Sequence, residues 1–171
     1  MKKIIVFAFL LTLVAIGARA QKYALIDMEY ILKNIPAYEM ANEQLNSISQ
    51  KWQAEVESVQ QEAQNLYKTY QADLVFLSAD MKTKREAEIV AKEQEAQDLK
   101  RKYFGTEGEL FKKRQSLISP IQDEIYTVVK EIAEKQGYAM VIDRASSVNI
   151  IYATPKIDIS SDVLTKLGYS K

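Results

Sequence analysis

Residues 41–77 read ANEQLNSISQ KWQAEVESVQ QEAQNLYKTY QADLVFL, and this stretch decides the fold. It contains neither Gly nor Pro, and its apolar residues recur every three or four positions. They are Leu45, Ile48, Trp52, Val56, Val59, Ala63, Leu66, Tyr70, Leu74 and Leu77. A repeat close to 3.6 residues predicts one amphipathic helix with a continuous apolar stripe. At about 1.5 Å per residue it would extend roughly 55 Å, which is longer than a compact domain needs.

A second long helix is predicted to follow after a short break. Ser78 or Asp80 can cap its amino end, its first turn carries Met81, and the helical pattern continues to about Gln136. Because the connection is short, the two helices are expected to lie antiparallel as a hairpin. The seam between two such helices buries little apolar surface, so we expect further partners, either more copies of the chain or a bound client.

Three residues interrupt the second helical pattern. Gly105 and Gly108 are each expected to cost about 1 kcal/mol relative to Ala inside a helix. If the hairpin folds about Ala79, Gly105 lies beside Trp52, and two interpretations follow: a packing notch for the indole, which we favour, or a hinge in the arm. Pro120 removes one backbone hydrogen bond and predicts a kink where the arm enters a body.

The ends of the chain are predicted to form a small β-containing body. Three short strands are expected at Tyr23–Met28, Tyr138–Asp143 and Val148–Ala153, the first followed by a short helical piece through Leu32 to Pro36. So small a sheet leaves open edges, and self-association would close them. The residues expected to mediate this contact lie on the strands: Tyr23, Leu25, Ile26, Met140, Val141, Ile142, Ile150 and Ile151.

Glycines and serines mark the helix ends of this body. Gly137 is expected to stop the long helix, and a last helix over Asp162–Leu167 is expected to be capped by Ser160 or Ser161 and stopped by Gly168. The predicted fold class is α+β, mostly α: a long antiparallel helical hairpin on a small oligomerising β body. The body comprises residues 21–40 and 119–171, and the hairpin arm comprises residues 41–118 with its tip near 78–81.

The composition of the chain excludes the residue types on which many catalytic and metal sites depend. The 171 residues include no His and no Cys, so thiol nucleophiles, disulfides, imidazole bases and the usual zinc sites are ruled out. With only 5 Gly and 3 Pro, the chain has few of the loops on which active sites are built. Paired acids such as Glu93 and Glu95 point apart on one helix. We therefore expect no enzyme activity, no cofactor and no metal site.

The first 20 residues have the pattern of an export signal. Lys2 and Lys3 precede an apolar run from Ile4 to Ile16, and Ala18-Arg19-Ala20 provides the small residues that signal peptidase recognises. Cleavage after Ala20 would give an exported mature chain that begins at Gln21. The 23 basic and 23 acidic residues of the whole chain then become 20 and 23, so the mature chain is slightly acidic. A retained membrane anchor is the alternative.

The order of these elements resembles one known family. The matching stretches are Tyr23–Pro36, Lys113–Ile121, Ala133–Tyr138, Val141–Asp143 and Asp158–Leu164. The order of elements that these stretches mark extends over essentially the whole mature chain. On these residues the chain resembles the Skp family of periplasmic chaperones, also called OmpH-like outer-membrane protein chaperones. Each motif is short, and the resemblance rests on the ordered set.

The resemblance implies a fold and a function. It implies a homotrimer in which three chains join their strands, with three helical hairpins projecting like the tentacles of a jellyfish around a cavity. It also implies an ATP-independent holdase that keeps unfolded outer-membrane proteins from aggregating. Well-known members are basic, whereas this mature chain is slightly acidic, so charge attraction cannot be assumed as the main holding force.

The outer half of the arm offers the candidate contacts for such clients. Exposed aromatic and flexible groups suit many weak contacts, and a basic cluster near the tip could meet acidic segments or, weakly, lipopolysaccharide or phospholipid. The candidates are Tyr67, Tyr70, Phe76, Leu77, Met81, Lys82, Lys84 and Arg85. The alternatives are that Tyr70 and Leu77 belong to the helix seam and that the three bases form an ordinary solvated face.

A structural role is the alternative to a chaperone. A coiled-coil envelope spacer or adaptor would share the export signal, the helical rods and the oligomeric body, but it would dock a specific partner at a stiff tip. Nucleic-acid binding is disfavoured, because the chain is expected to be exported, has no basic excess and has no recognisable reading motif.

Overall fold

The computed structural model describes residues 21–147 and 150–169. The predicted signal segment lies outside these residues. The elements, in chain order, are β1 (Lys22–Ile26), α1 (Met28–Lys33), α2 (Pro36–Asp73), α3 (Ala79–Phe104), α4 (Glu109–Gln136), β2 (Tyr138–Asp143), a 3-10 turn (Pro155–Ile157) and α5 (Ser160–Lys166). The mostly helical fold with a small sheet is confirmed. Contacts divide the chain into an arm unit, 35–123, and a β unit made of the segments before and after it.

The long helix α2 begins and ends earlier than predicted. It has 38 residues and starts at Pro36 rather than Ala41. Proline fits the first turn of a helix, where its missing N–H is not needed, and it keeps the preceding Ile35 extended (φ −104°, ψ 111°). The helix ends at Asp73 instead of Leu77, and residues 74–78 form the connection to α3.

The two helices of the arm run antiparallel, as their cross-contacts show. Lys92 Nζ lies 3.0 Å from Glu62 Oε2, and nearer the amino end of α2 the Tyr103 hydroxyl donates to Glu55 Oε2 at 2.9 Å. The seam is narrow and built largely from small or β-branched residues. Its buried members are Val56, Val59, Ala63, Ile89 and Ala96, together with the larger Tyr103.

The second helix is broken, which corrects the prediction of one helix to Gln136. It ends at Phe104, and α4 begins at Glu109. A Cβ placed on Gly105 would lie 2.4 Å from the carbonyl oxygen of Arg101, and one on Gly108 would lie 2.8 Å from that of Tyr103. Both glycines therefore permit close approach of backbone to backbone at the break.

The predicted notch for the indole is also wrong. No atom of Trp52 is among the nearest neighbours of a Cβ on Gly105; the indole instead stacks on Tyr103, with ring centroids 4.7 Å apart and planes 2° from parallel. A large aromatic partner, and not a small residue, thus lies opposite the tryptophan.

Below this stack, α2 and α4 share an apolar cluster. Ala41, Leu45 and Ile118 are buried, and Tyr38, Leu110 and Leu117 pack against them. Pro120 lies inside α4, and the helix continues past it to Gln136.

Among residues 21–147 and 150–169, the β unit has two parallel strands, β1 and β2, where three were predicted. Tyr23 pairs with Met140 and Ile26 with Asp143 along β1 and β2. The residues of the predicted third strand that the structure describes, 150–153, are irregular, and Ile151 is fully exposed. A strand needs a neighbour for its backbone groups, and within one chain this segment forms no ladder. The other side of β1 instead forms a single bridge, between Leu25 and Asp158.

The local chemistry of Asp27 and Ser160 explains two further differences. β1 ends at Ile26 rather than Met28 because Asp27 caps α1, accepting from Tyr30 N at 2.8 Å. Ser160 does not cap α5, whose first residue it is; its buried hydroxyl accepts from Asp27 N at 2.8 Å instead. The two predicted stops are confirmed, since Gly137 (φ 70°) and Gly168 (φ 88°) follow the ends of α4 and α5.

The core of the β unit is small and tightly enclosed. Its largest fully buried side chains are Ile31 of α1, Ile125 of α4 and Val163 of α5. Each of these three helices thus contributes one fully buried aliphatic side chain to the β unit.

Candidate functional site

The connection between α2 and α3 is ordered by its own backbone and by one cap. The amide of Phe76 donates to Asp73 O at 2.9 Å, and the Ser78 hydroxyl accepts from Met81 N at 3.4 Å. The prediction that Ser78 or Asp80 caps the second helix is thereby confirmed for Ser78. These bonds fix the backbone while leaving the side chains of the turn to solvent.

Two consecutive apolar side chains project from this turn. Phe76 is 84% exposed and Val75 is 82% exposed. Sequence reasoning identified Phe76 and missed Val75, although the Val-Phe pair directly before a polar Ser-Ala-Asp segment was a usable signal. Adjacent apolar residues in a tight turn cannot both face the seam of two helices.

Tyr67 and Met81 extend the apolar surface along the helices on either side of the turn. Tyr67 on α2 and Met81 on α3 are each about half exposed. Together with Val75 and Phe76 they form what we call the tip surface. It combines aromatic and flexible side chains, which can adapt to partners of varied shape.

Tyr70 and Leu77 are placed closer to the seam. Tyr70 is partly buried and donates its hydroxyl hydrogen bond across the hairpin to Glu86. This bond to a carboxylate raises the pKa of Tyr70. Leu77 is also partly buried. Both side chains therefore support the turn as well as bordering the tip surface.

The predicted basic cluster is present but partly neutralised. Lys84 and Arg85 are exposed and Lys82 is partly buried. Arg85 Nη1 lies 3.1 Å from Glu88 Oε2 on the next turn. Exposed pairs of this kind are worth little in stability, and the local excess of positive charge is smaller than the sequence cluster indicates.

The predicted oligomerisation residues divide into buried and exposed sets. Leu25 and Ile26 lie in the core of the β unit, and Val141, Ile142 and Ile150 are partly buried. The exposed members are Tyr23, which is 46% exposed, Met140, which is 53% exposed, and Ile151, which is fully exposed. The adjacent Tyr152 is 85% exposed. Large apolar residues are thus open to contact at the strands and in the segment after them.

A polar network holds the ends of β1, β2 and α5 together. Arg144 donates to Asp27 Oδ2 from Nε at 3.1 Å and from Nη2 at 3.0 Å, and its Nη1 lies 3.4 Å from Asp158 Oδ2. Asp158 Oδ1 accepts from the Ser160 hydroxyl at 2.6 Å. The amide of Tyr30 and the guanidinium of Arg144 hold the pKa of Asp27 below its ordinary value, although partial burial opposes them.

The described residues expose apolar side chains at the tip and at the strands. Among residues 21–147 and 150–169, no group of three or more carboxylates is arranged to hold a metal ion. No helix within that part of the chain has the length and apolar content that crossing a bilayer requires. What the arrangement can do is contact other chains through exposed apolar side chains.

Comparisons with known proteins agree on one family. Residues 22–167 match the family model described as outer membrane protein (OmpH-like). The chain is 29% identical over 160 residues to the chaperone protein Skp of Yersinia enterocolitica, covering 88% of each chain. It is 27% identical to the chaperone protein Skp of Pectobacterium atrosepticum, covering 86% of each.

A solved structure shares the fold. A crystal structure from Caulobacter crescentus, described as an OmpH-like outer membrane chaperone, superposes with a TM-score of 0.67 at 18% identity. The match covers 88% of this chain and 86% of the other.

Proposed function

Because the chain belongs to the OmpH-like outer membrane protein family, we propose that it is a periplasmic chaperone that binds unfolded outer-membrane proteins and prevents their aggregation without ATP. The chaperone names of its relatives support this class of function. In this proposal the first 20 residues are a signal peptide cleaved after Ala20, and the mature protein needs no cofactor.

The observation that carries the proposal is the tip surface. Val75 and Phe76 are each more than four-fifths exposed, and they project from a turn that is held by the bond from Phe76 N to Asp73 O and by the Ser78 cap. Exposed apolar groups of this size are costly in an ordinary soluble chain and commonly mark interaction sites. Here they lie among charged and amide side chains, which keep the arm soluble while leaving weak apolar contacts available.

A homotrimer would turn weak contacts into useful affinity. We propose that three chains associate through the β unit, using the exposed Tyr23, Met140 and Ile151 and the open sheet edge. Three arms around one client raise the effective concentration of each weak patch for the others. Release remains easy, because no single contact is strong. Any contact of Lys82, Lys84 and Arg85 with lipopolysaccharide or phospholipid would be weak and secondary.

The test dilutes a urea-unfolded outer-membrane β-barrel protein into buffer with and without the mature chain, while light scattering records aggregation. Mass measurement in solution establishes the oligomer first. We expect suppression of scattering at one trimer per client, without nucleotide. Undiminished scattering at several-fold excess would refute the chaperone proposal, and it would favour a coiled-coil spacer or adaptor.

A further inference from the structure

A groove on the arm unit is separate from the tip surface. It lies between α2 and α4, next to the Trp52–Tyr103 stack, and has a volume of about 540 Å³. Its lining includes Ile48, Lys51, Trp52, Glu109, Lys112 and Lys113. None of these residues is among the predicted client contacts.

The floor of the groove is apolar and held in position. Ile48 and Trp52 are both partly exposed where the seam of the hairpin is incomplete. The stacking of Trp52 on Tyr103, whose hydroxyl is itself bonded to Glu55 at 2.9 Å, fixes the indole plane. A flat aromatic ring and a branched aliphatic chain together suit one apolar side chain of a ligand.

The walls of the groove carry an excess of positive charge. Lys112 is paired with Glu109 at 3.1 Å. Within the described part of the chain, no carboxylate forms an ion pair with Lys51 on α2 or with Lys113 on α4. Of the other lysines and arginines of the arm, Arg85, Lys92 and Arg101 also have carboxylate partners. The groove is therefore a locally cationic site on a mature chain that is acidic overall.

We infer that this groove binds acidic segments of unfolded polypeptides in which an aromatic or aliphatic residue lies between carboxylates, an inference that rests on the proposed function. The two unpaired lysines lie on different helices that line the groove, and Ile48 and Trp52 add apolar surface to the same groove. A peptide that alternates acidic and apolar side chains complements this combination of charge and apolar surface. A single-headed amphiphile presents charge at only one end and matches one wall.

The arm would then sort its clients by two criteria. The tip surface contacts any apolar segment, whereas the groove favours segments with negative charge. Single contacts would remain weak, since both lysines keep much of their hydration, and binding should weaken as salt screens the charges.

The only tryptophan of the chain lies in this groove, so its fluorescence reports occupancy directly. The experiment titrates the full mature protein with a capped peptide of sequence Glu-Phe-Asp-Leu-Glu. We expect a saturable change in emission that weakens at least about tenfold in 1 M salt, where the screening length is roughly 3 Å. The matched peptide with every acid replaced by Lys should leave the emission unchanged.

Paired charge reversals supply the control. The double variant Lys51→Glu with Lys113→Glu should lose at least about tenfold in affinity for the acidic peptide. The matched variant Lys68→Glu with Lys100→Glu changes the same net charge on exposed arm residues outside the groove, and it should bind as the parent does. Circular dichroism melting must show that both variants fold. Equal losses in both variants would overturn the inference, because overall charge and not the groove would then set the affinity.

Other occupants give distinct results. A tryptophan change that follows protein concentration alone would show that a second copy covers the groove. A change with vesicles of anionic phospholipid, but none with the peptide, would show a lipid site. Either result overturns the inference. If the parent suppresses aggregation of an unfolded β-barrel protein yet ignores the peptide, only the groove fails; if it suppresses nothing, the proposed function fails independently.

Discussion

The arm unit and the β unit are stabilised in opposite ways. In the outer part of the arm, cross-contacts join α2 and α3, which follow one another in the chain, and the seam consists of single side chains such as Val59, Ala63 and Ile89. In the β unit, β1 bonds to segments more than 100 residues away, as in the bond from Ile159 N to Leu25 O. The first unit can lose a contact and adjust locally, whereas the second depends on every segment being in place.

The sharpest test of this difference compares the same type of substitution, Ile to Ala, at one buried position in each unit. Ile125→Ala in the β unit should lower the free energy of unfolding by about 4 kcal/mol, near the upper part of the range for such truncations, because Ile125 is fully enclosed. Ile89→Ala in the arm should cost about 2 kcal/mol, since a seam between two helices can close around a smaller side chain. Urea unfolding followed by circular dichroism measures both. Equal costs would remove the proposed distinction.

Within the arm, the break between α3 and α4 should be the least tolerant point. Gly105→Ala is expected to cost roughly 2 kcal/mol, because the new Cβ would lie 2.4 Å from the Arg101 carbonyl oxygen and backbone would have to move. Ala91→Gly, at an exposed position inside α3, should cost about 1 kcal/mol through helix propensity alone and serves as the comparison. A more stable Gly105→Ala protein would indicate that residues 105–108 act as a flexible hinge.

The sequence predicted the arm well because helix periodicity is a local property. The stripe from Leu45 to Ala63 and the cap at Ser78 both follow from residues a few positions apart. The break at Gly105 was missed because propensity treats glycine as a cost within a helix and does not show that backbone there must approach backbone. The stacking partner of Trp52 was missed because the offset between the helices shifts the pairing by a few residues.

The β unit was predicted less accurately for the converse reason. Ser160 leaves its expected capping role because its hydroxyl accepts from the amide of Asp27, 133 positions away in the chain. No local pattern encodes such a bond. At the candidate site, Phe76 could be predicted because it lies off the apolar stripe of the helix. Val75 was missed because helix periodicity does not show which residues of a turn are exposed.

The polar network of the β unit should make its stability depend on pH in the acidic range. Because the fold lowers the pKa of Asp27 from its ordinary value of 3.8, the contribution of this carboxylate is fully present above about pH 4 to 5. It is lost as the pH falls through 3.8 toward the lower folded value. Arg144→Gln should reduce stability by about 1 kcal/mol at pH 7 and should flatten the pH dependence in this acidic range.

Urea midpoints at pH 7 and pH 3 for the parent and Arg144→Gln test this expectation. The matched variant is Arg85→Gln on the arm, whose ion pair with Glu88 is between exposed side chains on one helix. It should leave both midpoints nearly unchanged. Parallel pH profiles for the parent and Arg144→Gln would contradict the role given to the network.

The smallest effect on stability should accompany a clear effect on function. Val75→Ser with Phe76→Ser removes two exposed side chains that contribute little to folding, so the free energy of unfolding should change by no more than about 0.5 kcal/mol. If the tip surface contacts clients, the same variant should need a several-fold higher concentration to suppress aggregation of an unfolded β-barrel protein. Val90→Ser is the control, because Val90 is 61% exposed on α3 but lies away from the turn. Equal activity of the two variants would move client holding from the tip surface to the remainder of the arm, where the groove beside Trp52 would be the next surface to test.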